Sequence, residues 1–150
     1  MPRMRATTID RIQNGLSNAA LAWSPSASTD SLAKYSIKYG ILHLLSQDRK
    51  TEVEACLRDL FFMQAFCDAW PTVITPLMAW REVGLDRLQD AYKTVMIEPH
   101  EPIDKLLAAD GVASFLDKAG QYSAGLELAE RVVSSVEFIE RLDIEHKVKI

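Results

Sequence analysis

Residues 42–60 read LHLLSQDRKTEVEACLRDL, and residues 113–131 read ASFLDKAGQYSAGLELAER. Each stretch contains the end of one amphipathic helix, a short polar turn and the start of a second helix. Leu45 of the first stretch corresponds to Leu116 of the second. A helical hairpin used twice predicts an all-α fold. The expected form is a helical bundle or α-solenoid of antiparallel hairpins, in which each hairpin buries its apolar face against a neighbour.

Composition limits the classes of function. The formal net charge of −4 disfavours general nucleic-acid binding, which needs a dense basic surface. The longest apolar run, residues 69–80, contains two prolines and is too short to span a membrane. Cys56 and Cys67 lie in apolar helical sequence without a disulfide framework, and the first residues do not resemble a signal peptide. We therefore expect a cytoplasmic protein with reduced thiols that binds neither nucleic acid nor membrane.

Apolar spacing and capping residues predict where helices begin. Apolar residues at steps of three and four predict a first helix over residues 8–22. Asp30 is suited to cap the next helix, and Thr51 with Glu54 forms a capping-box pattern. We expect one continuous helix from Val53 to Cys67. Thr75 followed by Pro76 reads as an N-cap and first helical residue.

Glycine residues and loop composition predict where helices end. Gly84 should end one helix, and Gly120 should supply a left-handed C-cap between the last two. These signals divide the chain into an N-terminal helix with a Ser/Pro linker over residues 1–29, a helical-bundle region over residues 30–98, and a helical hairpin over residues 99–150.

The C-terminal hairpin resembles a tetratricopeptide repeat. The segment GQYSAGLELAERV, residues 120–132, has a small residue, Gly120, two positions before an aromatic one, Tyr122, ahead of a helix with small and apolar contacts. Gly125 and Val132 stand where that consensus usually has alanine. The resemblance implies a tetratricopeptide-like hairpin at the C-terminal end of the fold.

The preceding region resembles the helices that follow the nucleotide-binding core of STAND signalling proteins of the NACHT and NB-ARC type. The residues concerned are YSIKYGILHLL and VEACLRDLFFMQAFC, within residues 35–67, and PLMAWREVG, residues 76–84. The resemblance implies a regulatory or sensor helical region that runs into a repeat. The chain contains no GxxxxGK[ST] segment, so it has no P-loop to hold nucleotide phosphates.

No residue pattern predicts catalysis, a cofactor or a metal site. His43, Cys56 and Cys67 are the best candidates for a nucleophile and base, but nothing is placed to orient the imidazole. Carboxylates such as Glu127 sit on polar helix faces, four residues from a basic partner such as Arg131, which indicates solvated surface. We expect no enzyme, and a small helical Cys/His enzyme stays only as a second alternative.

The sequence therefore favours a role in protein–protein interaction. We expect a non-enzymatic module that docks a protein or peptide partner in a groove between hairpins. The candidate partner-binding residues are Phe62, Trp80, Arg81 and Tyr122, because aromatic and arginine side chains are common hot spots at interfaces. The alternative is a self-associating structural protein that forms a homodimer or other homo-oligomer.

Overall fold

The fold is all-helical throughout the residues that the structure describes. In this computed structural model, the backbone is described for residues 2–27, 30–99 and 101–148, and side chains for residues 8–26, 30–99 and 101–142. Within them a 3₁₀ turn, Pro25–Ala27, follows the first of eight α-helices. The helices are α1 (Pro2–Leu21), α2 (Ser31–Ser46), α3 (Lys50–Arg58), α4 (Leu60–Ala69), α5 (Ile74–Val83), α6 (Leu85–Asp90), α7 (Ile103–Lys118) and α8 (Tyr122–Val148). The all-α prediction is confirmed.

The chain forms two compact units, residues 1–85 and residues 86–150. The sequence predicts different boundaries, after residues 29 and 98. The first difference arises because α1 packs along α2, which makes the N-terminal helix part of the first unit. The second arises because the irregular segment after α6 is hydrogen-bonded to α8, so residues 92–98 belong with the C-terminal hairpin.

Helix α2 is central in the first unit and packs against α1, α3, α4 and α5. Such a position requires apolar residues on two sides of the helix, as the sequence of α2 has. The side chains that form the core are fully buried and come from four helices. They are Ile41, Leu44, Val53, Leu57, Met63, Phe66 and Trp80.

The contact between α1 and α2 is close and partly polar. A Cβ atom on Gly40 would overlap the side chain of Ala20, so the two backbones meet where neither carries more than a methyl group. Beside this contact, the buried Ser17 hydroxyl donates to Gln47 Oε1 at 2.8 Å. Gln47 Nε2 in turn donates to Asn14 Oδ1 at 2.8 Å. These bonds fix the register of the two helices.

The predicted helix from Val53 to Cys67 is broken into α3 and α4 at Asp59. This residue has extended backbone angles (φ −73°, ψ 123°), and its side chain accepts from Phe62 N at 2.9 Å. An aspartate can satisfy a free backbone donor in this way and so begin a new helix. The predicted single helix is therefore wrong.

Two predicted helix starts are also corrected, and one is confirmed. Helix α3 begins at Lys50 with Arg49 at the N-cap and no side-chain cap, so Thr51 lies inside the helix and cannot form the predicted capping box with Glu54. Helix α5 begins at Ile74, so Pro76 is its third residue, where its missing N–H still costs no helical bond. The Asp30 cap is present: its side chain accepts from Leu32 N.

In the second unit, α7 and α8 pack together as an antiparallel hairpin. The buried residues between and around them are Leu106, Ala109, Val112 and Leu116 on α7, and Leu128, Val132 and Ser135 on α8. The predicted C-terminal hairpin is thus present, and α8 extends to Val148.

Candidate partner-binding surface

The turn between α7 and α8 sets the geometry of the hairpin. Gly120 has φ +84°, its N–H donates to Asp117 O at 3.0 Å, and Gln121 N–H donates to Leu116 O at 2.8 Å. These two bonds form a Schellman motif, which satisfies the last carbonyl groups of α7 and reverses the chain. The predicted left-handed cap at Gly120 is confirmed.

The two helices lie close together at Gly125, in the first turn of α8. A Cβ atom there would lie 3.1 Å from Ala113 O and 3.3 Å from Leu116 Cβ. Exposed side chains of both helices lie beside this contact, among them Ser114 on α7 and Leu126 on α8. One face of the hairpin is consequently lined by two rows of side chains, one from each helix.

The row on α8 is apolar, and all of its residues except the half-buried Ala129 are exposed. We call it the α8 stripe: Tyr122, Leu126, Ala129, Val133 and Val136, which follow one another at steps of four, three, four and three residues. The exposed fraction is 68% for Tyr122, 61% for Leu126 and 54% for Val133. This spacing places all five on one side of the helix, away from the buried row of Leu128 and Val132.

The row on α7 has the same spacing. We call it the α7 row: Ile103, Leu107, Asp110, Ser114 and Asp117, all exposed. Its first two residues are apolar, with Ile103 64% and Leu107 59% exposed. The remaining three are polar or acidic, so the row changes character along α7.

An open groove of about 310 Å³ joins the two rows. Its walls include Asp110, Ser114 and Asp117 from α7 and Tyr122, Leu126 and Ala129 from α8. The helices are antiparallel, so the two rows continue side by side beyond this groove. The α7 row runs on to Leu107 and Ile103, and the α8 stripe runs on to Val133 and Val136. We call this whole side of the hairpin the α7–α8 face.

The opposite side of α8 is covered by the chain itself. The guanidinium of Arg131 donates to the carbonyl oxygens of Tyr92 (3.1 Å), Lys93 (3.0 Å) and Val95 (3.3 Å). Ser135 Oγ donates to Glu98 O at 3.0 Å. Arg131 therefore anchors the segment after α6 instead of pairing at the surface with Glu127, as the sequence suggests.

The four predicted partner-binding residues have different positions. Tyr122 lies at one end of the α8 stripe, and Arg81 is exposed near the end of α5. Trp80 is fully buried and Phe62 is 3% exposed, which corrects the expectation that these two meet a partner. Phe62 packs edge-on against Trp23, with ring centroids 5.5 Å apart, and beside Phe66. Sequence spacing alone did not separate these core aromatics from surface ones.

The sequence prediction missed Leu126, Val133 and Val136. Their signal was present, because α8 carries two apolar rows, of which only the one through Leu128 and Val132 is needed to cover α7. A second apolar row at heptad-like spacing on the final helix indicates a surface that a single neighbour does not cover.

Cys56 and His43, the candidate nucleophile and base, lie in surroundings typical of structural residues. Burial raises the pKa of the Cys56 thiol to about 11, with smaller contributions from the nearby Asp59 and Glu52 carboxylates. A nucleophilic cysteine requires a lowered pKa, because the thiolate is the reactive form. His43 stacks on Tyr35 and its Nε2 lies 3.2 Å from the tyrosine hydroxyl. The arrangement fits packing better than catalysis.

The described residues contain neither a metal-binding cluster nor a membrane-spanning helix. Within them, no group of three His, Cys, Asp or Glu side chains is arranged to hold a metal ion. None of the described helices is long and apolar enough to cross a membrane. His100 and His146 lie outside the described side chains.

The raised pKa of Cys56 predicts a loss of stability at alkaline pH. Between the ordinary thiol pKa of 9.0 and the folded value of about 11, the unfolded chain loses the thiol proton while the folded chain keeps it. The stabilisation is complete below that window, and the free energy of unfolding should fall as the pH rises through it.

Urea unfolding at pH values on either side of this window measures the effect. Cys56→Ala should reduce the slope of stability against pH, because it removes the buried thiol. Identical slopes in the wild type and Cys56→Ala would refute the assignment.

No protein-family model, curated protein or solved structure matches the chain. The resemblance of residues 35–67 to the helices of STAND proteins, and of residues 120–132 to a tetratricopeptide repeat, therefore stays a prediction from the residues alone.

Proposed function

We propose that this protein is a non-enzymatic protein-interaction module that docks an amphipathic helix of a partner protein on the α7–α8 face. The observation that carries the proposal is the α8 stripe, five small or apolar residues in helical register beside a groove, four of them exposed. Apolar residues exposed singly are common on proteins, but a contiguous row of this kind is typical of interaction sites.

A helix is the occupant that fits this shape. Two antiparallel helices in contact leave a groove along their shared side, and a third helix packs there by inserting its ridges. The stripe from Tyr122 to Val136 extends about 21 Å, or about four helical turns. A partner segment with apolar residues at i, i+3, i+4 and i+7 would match it along that length.

The wider role that we propose is the regulatory or sensor helical part of a STAND-type signalling protein in the cytoplasm, with a tetratricopeptide-like C-terminal hairpin. Its support is the pattern of residues 35–67 and 120–132, together with Cys56 and Cys67, which form no disulfide. In such an arrangement, partner binding on the α7–α8 face would be the signal to which a neighbouring region of the protein responds.

A homodimer through this same face is disfavoured by its charge. Asp110 and Asp117 line the groove, and Glu130 and Glu137 lie along the other edge of the α8 stripe. A second copy would bring acidic side chains against acidic side chains, and like charges across an interface oppose association. A partner of different composition does not meet this repulsion.

A designed helix tests the docking proposal. The probe is a fluorescein-labelled peptide of about 18 residues with leucine at i, i+3, i+4 and i+7 and glutamine on both flanks. Fluorescence anisotropy should show saturable binding to the whole chain. Leu126→Glu or Val133→Glu should weaken it about ten- to thirtyfold, because a charge then faces the apolar seam.

The control is Met78→Glu, which introduces the same charge at a similarly exposed residue of the other unit, 57% exposed. It should leave the peptide affinity unchanged. Absence of binding to the wild type, or equal affinity in Leu126→Glu, would overturn the proposal. Light scattering across concentration on the same samples tests for the homodimer. Self-association of the wild type that is absent in Val133→Glu would show a homodimer through this face.

A further inference from the structure

Acidic side chains border the α8 stripe on both sides. On the α7 side, Asp110 and Asp117 are exposed and line the groove. On the other side, Glu130 and Glu137 are exposed and lie about 60–80° around α8 from the middle of the stripe. Glu140 continues the stripe beyond Val136 as a further exposed acid.

Basic side chains are few on this face. Among its described residues, Lys118 and Arg141 are exposed, and each lies towards an end of the face rather than along its middle. Lys105 is engaged elsewhere, because its Nζ contacts Glu101 Oε1 at 2.9 Å and Met96 O. The central turns therefore present an apolar seam between two acidic edges.

From this pattern we propose that the partner helix is basic, with an apolar row flanked on both sides by lysine or arginine residues. The inference rests on the proposed docking function and narrows it to one class of partner. In paired helices, charged residues beside the apolar seam select the partner and its register through complementary charge. The partner's basic residues would meet Asp110 and Asp117 on one side and Glu130 and Glu137 on the other.

Arg131 and Ser135 fix which side of α8 is available for this partner. Because they bind the backbone of residues 92–98, that side of the helix is already covered. Glu127 lies there, about 140° around α8 from the middle of the stripe, and lines a separate groove with Ile97 and Pro99, whereas Glu130, at about 80°, lies between that groove and the stripe. Glu127 therefore provides a matched acidic position on the same helix that a partner on the α7–α8 face would not meet.

Three peptides of one apolar pattern test the inference, with lysine, glutamine or glutamate on their flanks. We expect the lysine peptide to bind the whole chain most tightly and the glutamate peptide most weakly, and added salt to reduce this preference. The double variant Asp110→Asn/Asp117→Asn should weaken lysine-peptide binding about three- to tenfold and leave the glutamine peptide almost unchanged. Glu127→Gln should change neither affinity.

The outcomes separate the two proposals. Equal affinity for all three peptides, lost in Leu126→Glu, would overturn the basic partner and keep the docking function. Binding of none of the peptides would overturn both. A preference for lysine that persists in Asp110→Asn/Asp117→Asn and in Glu130→Gln/Glu137→Gln would show that the acidic edges do not select the partner, and would overturn the inference.

Discussion

Replacing Trp80 with alanine is expected to lower the free energy of unfolding by about 3–5 kcal/mol. The indole is fully buried in α5, which packs against α3 and α2. Removing it takes away a large apolar surface and leaves a cavity that the surrounding helices fill only in part. The size of this effect distinguishes a core residue from the surface contact that the sequence suggests.

Intrinsic fluorescence provides the measurement, because all three tryptophans, Trp23, Trp70 and Trp80, belong to the first unit. The two that remain in the variant report the urea unfolding of that unit. Met78→Ala is the matched control on the same helix: its side chain is 57% exposed, so the change should stay within about 0.5 kcal/mol. A loss below about 1 kcal/mol for Trp80→Ala would contradict the buried placement.

Helix ends that depend on neighbouring residues could be predicted from the sequence. Asp30 caps α2, α5 ends before Gly84, and Gly120 takes the left-handed conformation after α7. In each case the deciding bond joins residues only a few positions apart. The sequence therefore contains all of the physical information that the prediction needs.

Predictions failed where two local signals compete. The apolar spacing from Val53 to Cys67 favours one helix, while Asp59 favours a new start by accepting from Phe62 N. The second signal prevails in the folded chain, and the resulting bend lets both Leu57 and Phe62 be buried. Spacing alone does not show this, because the outcome depends on where α2 and α5 lie.

The candidate surface was predictable only in part. Tyr122 was identified, whereas the remaining α8 stripe was not, because exposure depends on which row of α8 covers α7. Arg131 illustrates the same limit. Its spacing from Glu127 favours a surface ion pair, yet the guanidinium binds carbonyl oxygens of residues about forty positions earlier. Such contacts arise from tertiary structure and leave no local pattern.

The second large effect is expected at the crossing of α1 and α2. Gly40→Val should lower the free energy of unfolding by about 3 kcal/mol, at the upper end of the range for overpacked cores. The first added carbon already overlaps the Ala20 side chain, and Ala20 Cα lies only 3.4 Å from it. The helices must separate, which also strains the bond that Ser17 donates to Gln47 and the bond that Gln47 donates to Asn14.

A compensating substitution separates this steric cause from the helix preferences of the residues. Gly40→Ala has a better intrinsic helix propensity than the wild type by about 1 kcal/mol, so any loss of stability in it must come from the contact. Adding Ala20→Gly removes the opposing methyl group and should recover part of that loss, although Ala20→Gly alone should destabilise α1. If the effects of the two changes on the free energy of unfolding simply add in tryptophan-monitored urea unfolding, the close contact is not the cause of the lost stability. A positive coupling would show that the pairing of α1 with α2, and thus the inclusion of the N-terminal helix in the first unit, depends on the absence of a side chain at residue 40.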